Sequence, residues 1–288
     1  MKKASLLILS IVLLGSCELY EQDSYVEQVV VESYQIALQP MNDVILTRTA
    51  PIFEEYDKSE RGINDATVVV REFLPSGEFS QIITFVRTGQ GVYSPENEGF
   101  IVKPRHRYDL EANIPSLDAR VSTYTVVPDT FSIKGINSTA LVYQGPEQFE
   151  LTLSPSFFPG RQSYYVFTNE TLDPENAEFT SFYADADGNR EDFYRVSSGI
   201  INQTSTAQNG DIVELTFPWI GVAFYGPNRL RASAIDDNMY DYIRSLQIQG
   251  GGSTLSPGEI ENIISNVEGG IGLFGSYSEV AIEIEVLK

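Results

Sequence analysis

Ile63-Asn64-Asp65-Ala66-Thr67-Val68-Val69-Val70-Arg71-Glu72-Phe73 carries apolar residues at Ala66, Val68 and Val70, a period of two. Successive side chains of a strand point to opposite faces, so this spacing predicts a strand with one face on a core. Pro75-Ser76-Gly77 then supplies turn chemistry, and Phe79-Ser80-Gln81-Ile82-Ile83-Thr84-Phe85-Val86 returns as the second arm of a hairpin. Gly89 to Gly91 turns the chain again.

The same pattern extends to both sides. Upstream, Val26 to Leu38 is rich in β-formers, and Val44 to Thr47 is a second short strand. Downstream, Arg107 to Ala112 and Arg120 to Val127 add two more, and Pro128 closes the unit. Short strands with turns at roughly 8–12-residue spacing predict a β-sandwich of Ig-like or transthyretin-like type over residues 26–132.

Residues 133–288 read as a second β-rich domain. Strand-like runs stand at 149–155, 163–170, 178–185, 191–198, 211–219 and 229–235. The last run, Val280 to Val286, alternates so that Ile282 and Ile284 face a core and the glutamates face water. One helix is predicted over 236–247, capped by Asp236 or Asp237, with Met239, Tyr242, Ile243 and Leu246 as the stripe that docks on the sheet. Residues 249–258 read as a glycine-rich loop. The expected fold is mostly β: two β-sandwich-like domains, with one short helix in the C-terminal one.

The start of the chain speaks to location. Lys2 and Lys3 precede an apolar run from Leu6 to Leu14, and Leu14-Gly15-Ser16-Cys17 has the form of a lipobox. The run is short of the roughly 20 apolar residues that a spanning helix needs. A plain secretory leader is the alternative, but Cys17 is the only cysteine and stands where lipidation needs its thiol. The expectation is a lipoprotein signal peptide over 1–16, acylation at Cys17 with chains such as palmitate, and a tether over 17–25. Two or more buried acyl chains make such an anchor stable. With no second cysteine an internal disulfide is impossible, so the fold rests on its core. Glu18, Glu21 and Asp23 after the lipid cysteine are similar to a surface-export signal. The expected address is therefore the outer membrane, on the cell-surface leaflet, with the periplasmic leaflet as alternative.

Formal charge is −21 over 288 residues. Such an acidic surface argues against nucleic acid as a partner. Gly270-Ile271-Gly272-Leu273-Phe274-Gly275 matches the dinucleotide fingerprint in letters, but it leads into a strand-like run rather than a helix, so glycines permitting close backbone approach are the better reading. Asp185, Asp187, Asn189 and Glu191 place oxygen ligands at alternate positions, a calcium candidate. Gly188 falls at the fourth position of that segment rather than the sixth, and Arg190 competes. A hairpin turn at Asp187-Gly188, between Tyr183 and Phe193, is the simpler reading. His106 is the only histidine, which excludes multi-histidine zinc sites, and any Ser-His-Asp triad would have to use it between Arg105 and Arg107. A basic turn before a strand is the simpler reading.

Ser265-Asn266-Val267-Glu268-Gly269-Gly270-Ile271-Gly272-Leu273-Phe274-Gly275-Ser276-Tyr277-Ser278 resembles a signature near the end of Bacteroidota lipoproteins of the domain-of-unknown-function family numbered 4249. Three further stretches are similar in order: residues 63–70, residues 99–115 with Val126-Val127-Pro128, and the helix from Ile235 to Leu246 with Tyr240 and Tyr242. Arg105 departs from the pattern, since a glycine turn is expected before the tyrosine strand. The resemblance implies an outer-membrane or surface lipoprotein with an N-terminal sandwich, often encoded beside TonB-dependent transporters. It carries no binding or catalytic residues over.

The leading expectation is thus a non-catalytic accessory or ligand-binding partner of a TonB-dependent transporter, tethered by its lipid and not an enzyme. A structural or adhesive surface component is the alternative. A hydrolase using acidic residues is the third reading, since a pair of carboxylates suffices for glycoside hydrolysis.

Overall fold

A computed structural model describes residues 25–51, 53–202, 212–249 and 263–288. Cys17, the leader at 1–16, the tether up to residue 24 and, apart from Gln249, the loop expected at 249–258 lie outside the described residues.

The N-terminal strands are β1 (Val29–Ile36), β2 (Val44–Arg48), β3 (Thr67–Phe73), β4 (Phe79–Gly89), β5 (Val92–Pro95), β6 (Arg107–Ile114) and β7 (Ala119–Val126). The predicted hairpin forms: β3 and β4 pair antiparallel, with Val69 opposite Thr84 and Phe73 opposite Phe79. Val68 and Val70 are buried, as their spacing requires. β4 turns the corner of the sandwich. Its first half pairs with β3 and its second half, from Phe85, pairs with β5. A strand that changes sheets in this way lets one continuous ladder wrap around a core. That core holds Val31, Leu46, Val70, Tyr108, Leu110 and Val121.

The C-terminal strands are β8 (Ile133–Ile136), β9 (Ala140–Val142), β10 (Phe149–Leu153), β11 (Tyr164–Thr171), β12 (Arg195–Ser197), β13 (Ile201–Asn202), β14 (Val213–Phe217), β15 (Gly226–Ile235) and β16 (Ile271–Leu287), with helix α1 (Asp237–Gln247) after β15. A three-stranded sheet, β14-β10-β8, faces β11, β15 and the end of β16. Between them lies a second core with Leu151, Phe167, Phe217, Leu230 and Ile284. Glu283 and Glu285 are exposed, while Ile284 and Val286 are buried, as the alternation predicts.

β16 joins the two cores. Ile271 to Tyr277 runs parallel to β1, and Tyr277 to Val286 runs antiparallel to β15. Ser122 of β7 exchanges backbone hydrogen bonds of 2.8 and 3.1 Å with Glu268, just before β16, which ties the first sandwich shut. The boundary expected at 132/133 therefore does not divide the cores cleanly: Val267 and Phe274 lie in the first. The fold is mostly β and sandwich-like, with one α-helix among the described residues, and no described helix is long and apolar enough to cross a membrane.

Three local expectations are corrected. Residues 178–185 are not a strand. Thr180 ties to the carbonyls of Ala223 and Val222, and Phe179 and Tyr183 curl inward to form a small third cluster with Phe224 and Phe193. The turn expected at Asp187-Gly188 does not join two strands. A 3-10 turn, Arg190–Phe193, follows instead, closed by a reciprocal cap between Asn189 and Asp192. In α1, Asp236 is the cap, its side chain accepting from the Met239 amide at 2.8 Å. Leu246 is exposed at 39 %, and the buried residue on its turn is Ser245, whose hydroxyl accepts from the Ile264 amide.

Candidate functional site

Strands β3, β6 and β7 bury one face in the first core. Alternation throws Arg71 and Phe73, then Arg107, Asp109 and Glu111, then Arg120, Ser122 and Tyr124 onto the other face. On a chain of net charge −21, four arginines converge here, counting Arg105 beside β6. Arg107 organises them. Its Nε and Nη2 donate to the two carboxylate oxygens of Asp109 at 2.6 and 3.0 Å, a bidentate fork. Its guanidinium lies 4.1 Å from the Tyr124 ring centroid and 6.0 Å from that of Phe73. The Asp109 carboxylate raises the Arg107 guanidinium above its ordinary value. Arg71 and Arg120 each pair with Glu111 at 2.8 Å, and Arg71 leads in holding that carboxyl below its usual range.

Two recesses meet at Arg107 and Asp109. One of about 520 Å³ is lined by Phe73, Pro75, Arg105, Arg107, Phe157 and Pro159. The other, of about 360 Å³, continues past Arg71, Glu111 and Tyr124 to Asn266 and Glu268. Tyr124 and Phe157 are each about half exposed, at 52 % and 53 %. Arg105 lies 5.2 Å above the Phe157 ring. Rigid aromatic rings beside fixed guanidinium groups are the side chains that dominate binding hot spots.

Beneath this face, His106 meets Glu72 rather than a serine. Glu72 is fully buried, and both its oxygens are taken. Oε1 is met by His106 Nδ1 at 2.8 Å, Lys103 Nζ at 3.0 Å and Tyr108 Oη at 3.3 Å. Oε2 accepts from Gln81 at 2.6 Å and Ser80 at 3.1 Å. Burial pushes the carboxyl up, but the bonds from Gln81 and Lys103, with the Lys103 charge and Ser80, outweigh it and hold Glu72 below its ordinary value. A carboxylate so satisfied supports the hairpin, which is why His106 stands in a basic turn. A general acid would need the opposite shift.

Asp236 does show the opposite shift. It is 1 % exposed between α1, β7 and β16, where Thr125 Oγ1 donates to it at 2.5 Å and Ser276 Oγ lies 2.6 Å from Thr125. Burial pushes its carboxyl up to about 7, against the pull of Thr125 and the Met239 amide. It is packed inside and cannot reach a substrate.

The calcium candidates fare differently from their spacing. Asp192 accepts from the Asn189 backbone amide at 2.9 Å, and Arg190 turns inward to the carbonyls of Pro174 and Ala177. Asp185, Asp187 and Glu191 are not gathered: among the described residues no group of three or more Asp, Glu, His or Cys side chains is placed to hold a metal ion. Gly270 to Gly275 opens β16 against β1, with strand rather than a helix N-terminus following it. Cys17 lies outside the described residues. The Arg107–Tyr124 face was missed in the sequence, although the charges at alternate positions 107, 109 and 111 were a readable signal for it.

No curated protein matches the chain. Among solved structures, trypsin-activated alpha-2-macroglobulin from Escherichia coli matches 74 % of this chain and 15 % of its own, at 9 % identity and a TM-score of 0.23. A tetra-tandem repeat in the extending region of a large adhesion protein matches 89 % of this chain and 48 % of its own, at 13 % identity and a TM-score of 0.22. The chain thus spans less than half the length of either. The family model described as a domain of unknown function, DUF4249, matches residues 17–283, and the chain belongs to that family.

Proposed function

We propose that this protein is a lipid-anchored binding subunit of the outer membrane that works beside a TonB-dependent transporter and performs no catalysis of its own. The observation that carries the binding role is the Arg107–Tyr124 face, where arginines and half-exposed rings surround two joined recesses. Its ion pairs are already formed, so the arginines are held in place before a partner arrives, which lowers the ordering cost of association. Tethering at Cys17 would confine the chain to the membrane plane, raising its effective concentration near a membrane partner. The resemblance of residues 265–278 to surface lipoproteins supplies the transporter as that partner.

The test is extraction from native outer membranes in mild detergent, with the full chain acylated and carrying a C-terminal tag. A transporter should co-purify in stoichiometric amount and be lost when Arg107→Ala and Tyr124→Ala are combined. Recovery of the chain alone at native expression would refute the partnership.

A further inference from the structure

Along one side of the second sandwich, β12 and β13 at the border of the large sheet face β14 at the border of the small one. A recess of about 290 Å³ lies there. Its walls are largely apolar, with Phe167, Val196, Ile201, Leu215, Phe217 and Ile220 prominent, and among the described residues no charged side chain lines it.

One polar group in it is unsatisfied. Asn169 follows Phe167 on the inward face of β11, is 3 % exposed and lines the recess. Its Oδ1 has no hydrogen-bond partner. The orientation of this amide is set by its neighbour. Asn228 gives its Nδ2 to the carbonyls of Phe224 and Gly226, both at 3.0 Å, so its Oδ1 is left to accept from Asn169 Nδ2 at 3.2 Å. The Asn169 oxygen must therefore point elsewhere. Three other polar side chains around the recess are already engaged: Tyr183 Oη donates to the Ile220 carbonyl, Ser198 Oγ to that of Gly199, and Ser197 Oγ lies 3.0 Å from Thr168 Oγ1, while Thr216 is exposed on the outer face of β14. A buried acceptor without a donor costs stability, whereas an apolar pocket with one aimed polar group is the usual form of a small-molecule site.

We infer that this recess binds a small neutral molecule with an apolar body and one N–H or O–H group, which donates to Asn169 Oδ1. The described lining carries no charge to hold an ion, and the volume suits a molecule of one or two rings. This inference does not depend on the transporter partnership, and either can fail without the other.

Indole and 1-methylindole test it, because they share a body and differ in the donor. Ligand-observed nuclear magnetic resonance titration of the full chain, corrected for detergent partitioning with an empty-micelle control, should show indole binding at least about tenfold tighter than 1-methylindole. Asn169→Leu should abolish that preference. Ile220→Trp, which fills the mouth from an exposed position, should abolish binding of both. Equal affinity of the two probes for the native chain would overturn the role of Asn169, as a water satisfying its oxygen would predict. Binding of neither probe to a folded chain, or binding unchanged by a folded Ile220→Trp variant, would overturn the site itself. The two-probe comparison needs no variant and so stands even if both substitutions prevent folding.

Discussion

Gly272 crosses Val31 so closely that a Cβ on the glycine would stand 2.0 Å from the Val31 carbonyl oxygen. Gly272 also has φ +122°, a region that side chains with a Cβ rarely adopt. The contact lies where β16 enters its parallel pairing with β1, the seam that joins the end of the chain to its first core. Gly272→Ala should therefore cost on the order of 3 kcal/mol or more, or prevent folding, as read by urea denaturation. A variant with native stability would show that the seam can open by an ångström at little cost.

Arg105 makes a contrasting case, with φ +66° at a position where the family resemblance calls for glycine. Its compensations are an ion pair with Asp129 at 3.9 Å and the contact with Phe157. Both Arg105→Gly and Arg105→Ala lose these, but only glycine relieves the backbone. The glycine variant should be the more stable of the two by about 1 kcal/mol in chemical denaturation. Equal stabilities would mean that the left-handed turn stores no strain.

Asp236 makes stability fall as pH rises. Its carboxyl titrates near 3.8 when unfolded and about 7 when folded. Between those values the native chain keeps a proton that the unfolded chain has released, so deprotonation favours unfolding. The contribution of this group to the melting temperature should decline from about pH 4 to about pH 7. Asp236→Asn, which keeps an oxygen for the Met239 amide but cannot ionise, should flatten the decline. An identical slope in the variant would assign it to other groups.

Glu72 acts at the other end of the scale. Its folded carboxyl lies below the ordinary value of 4.5, so its contribution is present above that pH and is lost as pH falls through the folded value. Glu72→Gln leaves Lys103 and His106 without their carboxylate and should cost about 3 kcal/mol near neutral pH. Acid titration of the melting temperature in both forms checks this: the two curves should converge at low pH.

Arg107 and Tyr124 lie on the surface, and their loss should hardly touch the core. Arg107→Ala and Tyr124→Ala should each change stability by less than about 1 kcal/mol while lowering recovery of the membrane partner. Thermal melting beside quantitative co-purification separates the two effects. A large stability loss would make the face a structural one.

The sequence by itself determined the strands whose faces differ in polarity. Val68 and Val70 stand two apart between Thr67 and Arg71, Ile284 and Val286 alternate with glutamates, and burial follows those spacings directly. The start of α1 was legible to within one residue, at Asp236 or Asp237, because a cap needs only the three residues after it, and the structure selects Asp236. Local chemistry suffices in such cases. It failed at residues 178–193, where aromatic residues with strand propensity curl into a separate cluster around Phe224, a residue some 40 positions away. It also could not show that β16 serves two cores, because parallel pairing of Val31 with Gly272 joins segments from opposite ends of the chain. The candidate sites were decided at the same level. Arg107 meets Tyr124 only because β6 and β7 pair in a particular register, and Asn169 is left with an unpaired oxygen only because Asn228 has already spent its donors. Periodicity tells a residue which way to face, and the tertiary structure alone decides what it faces.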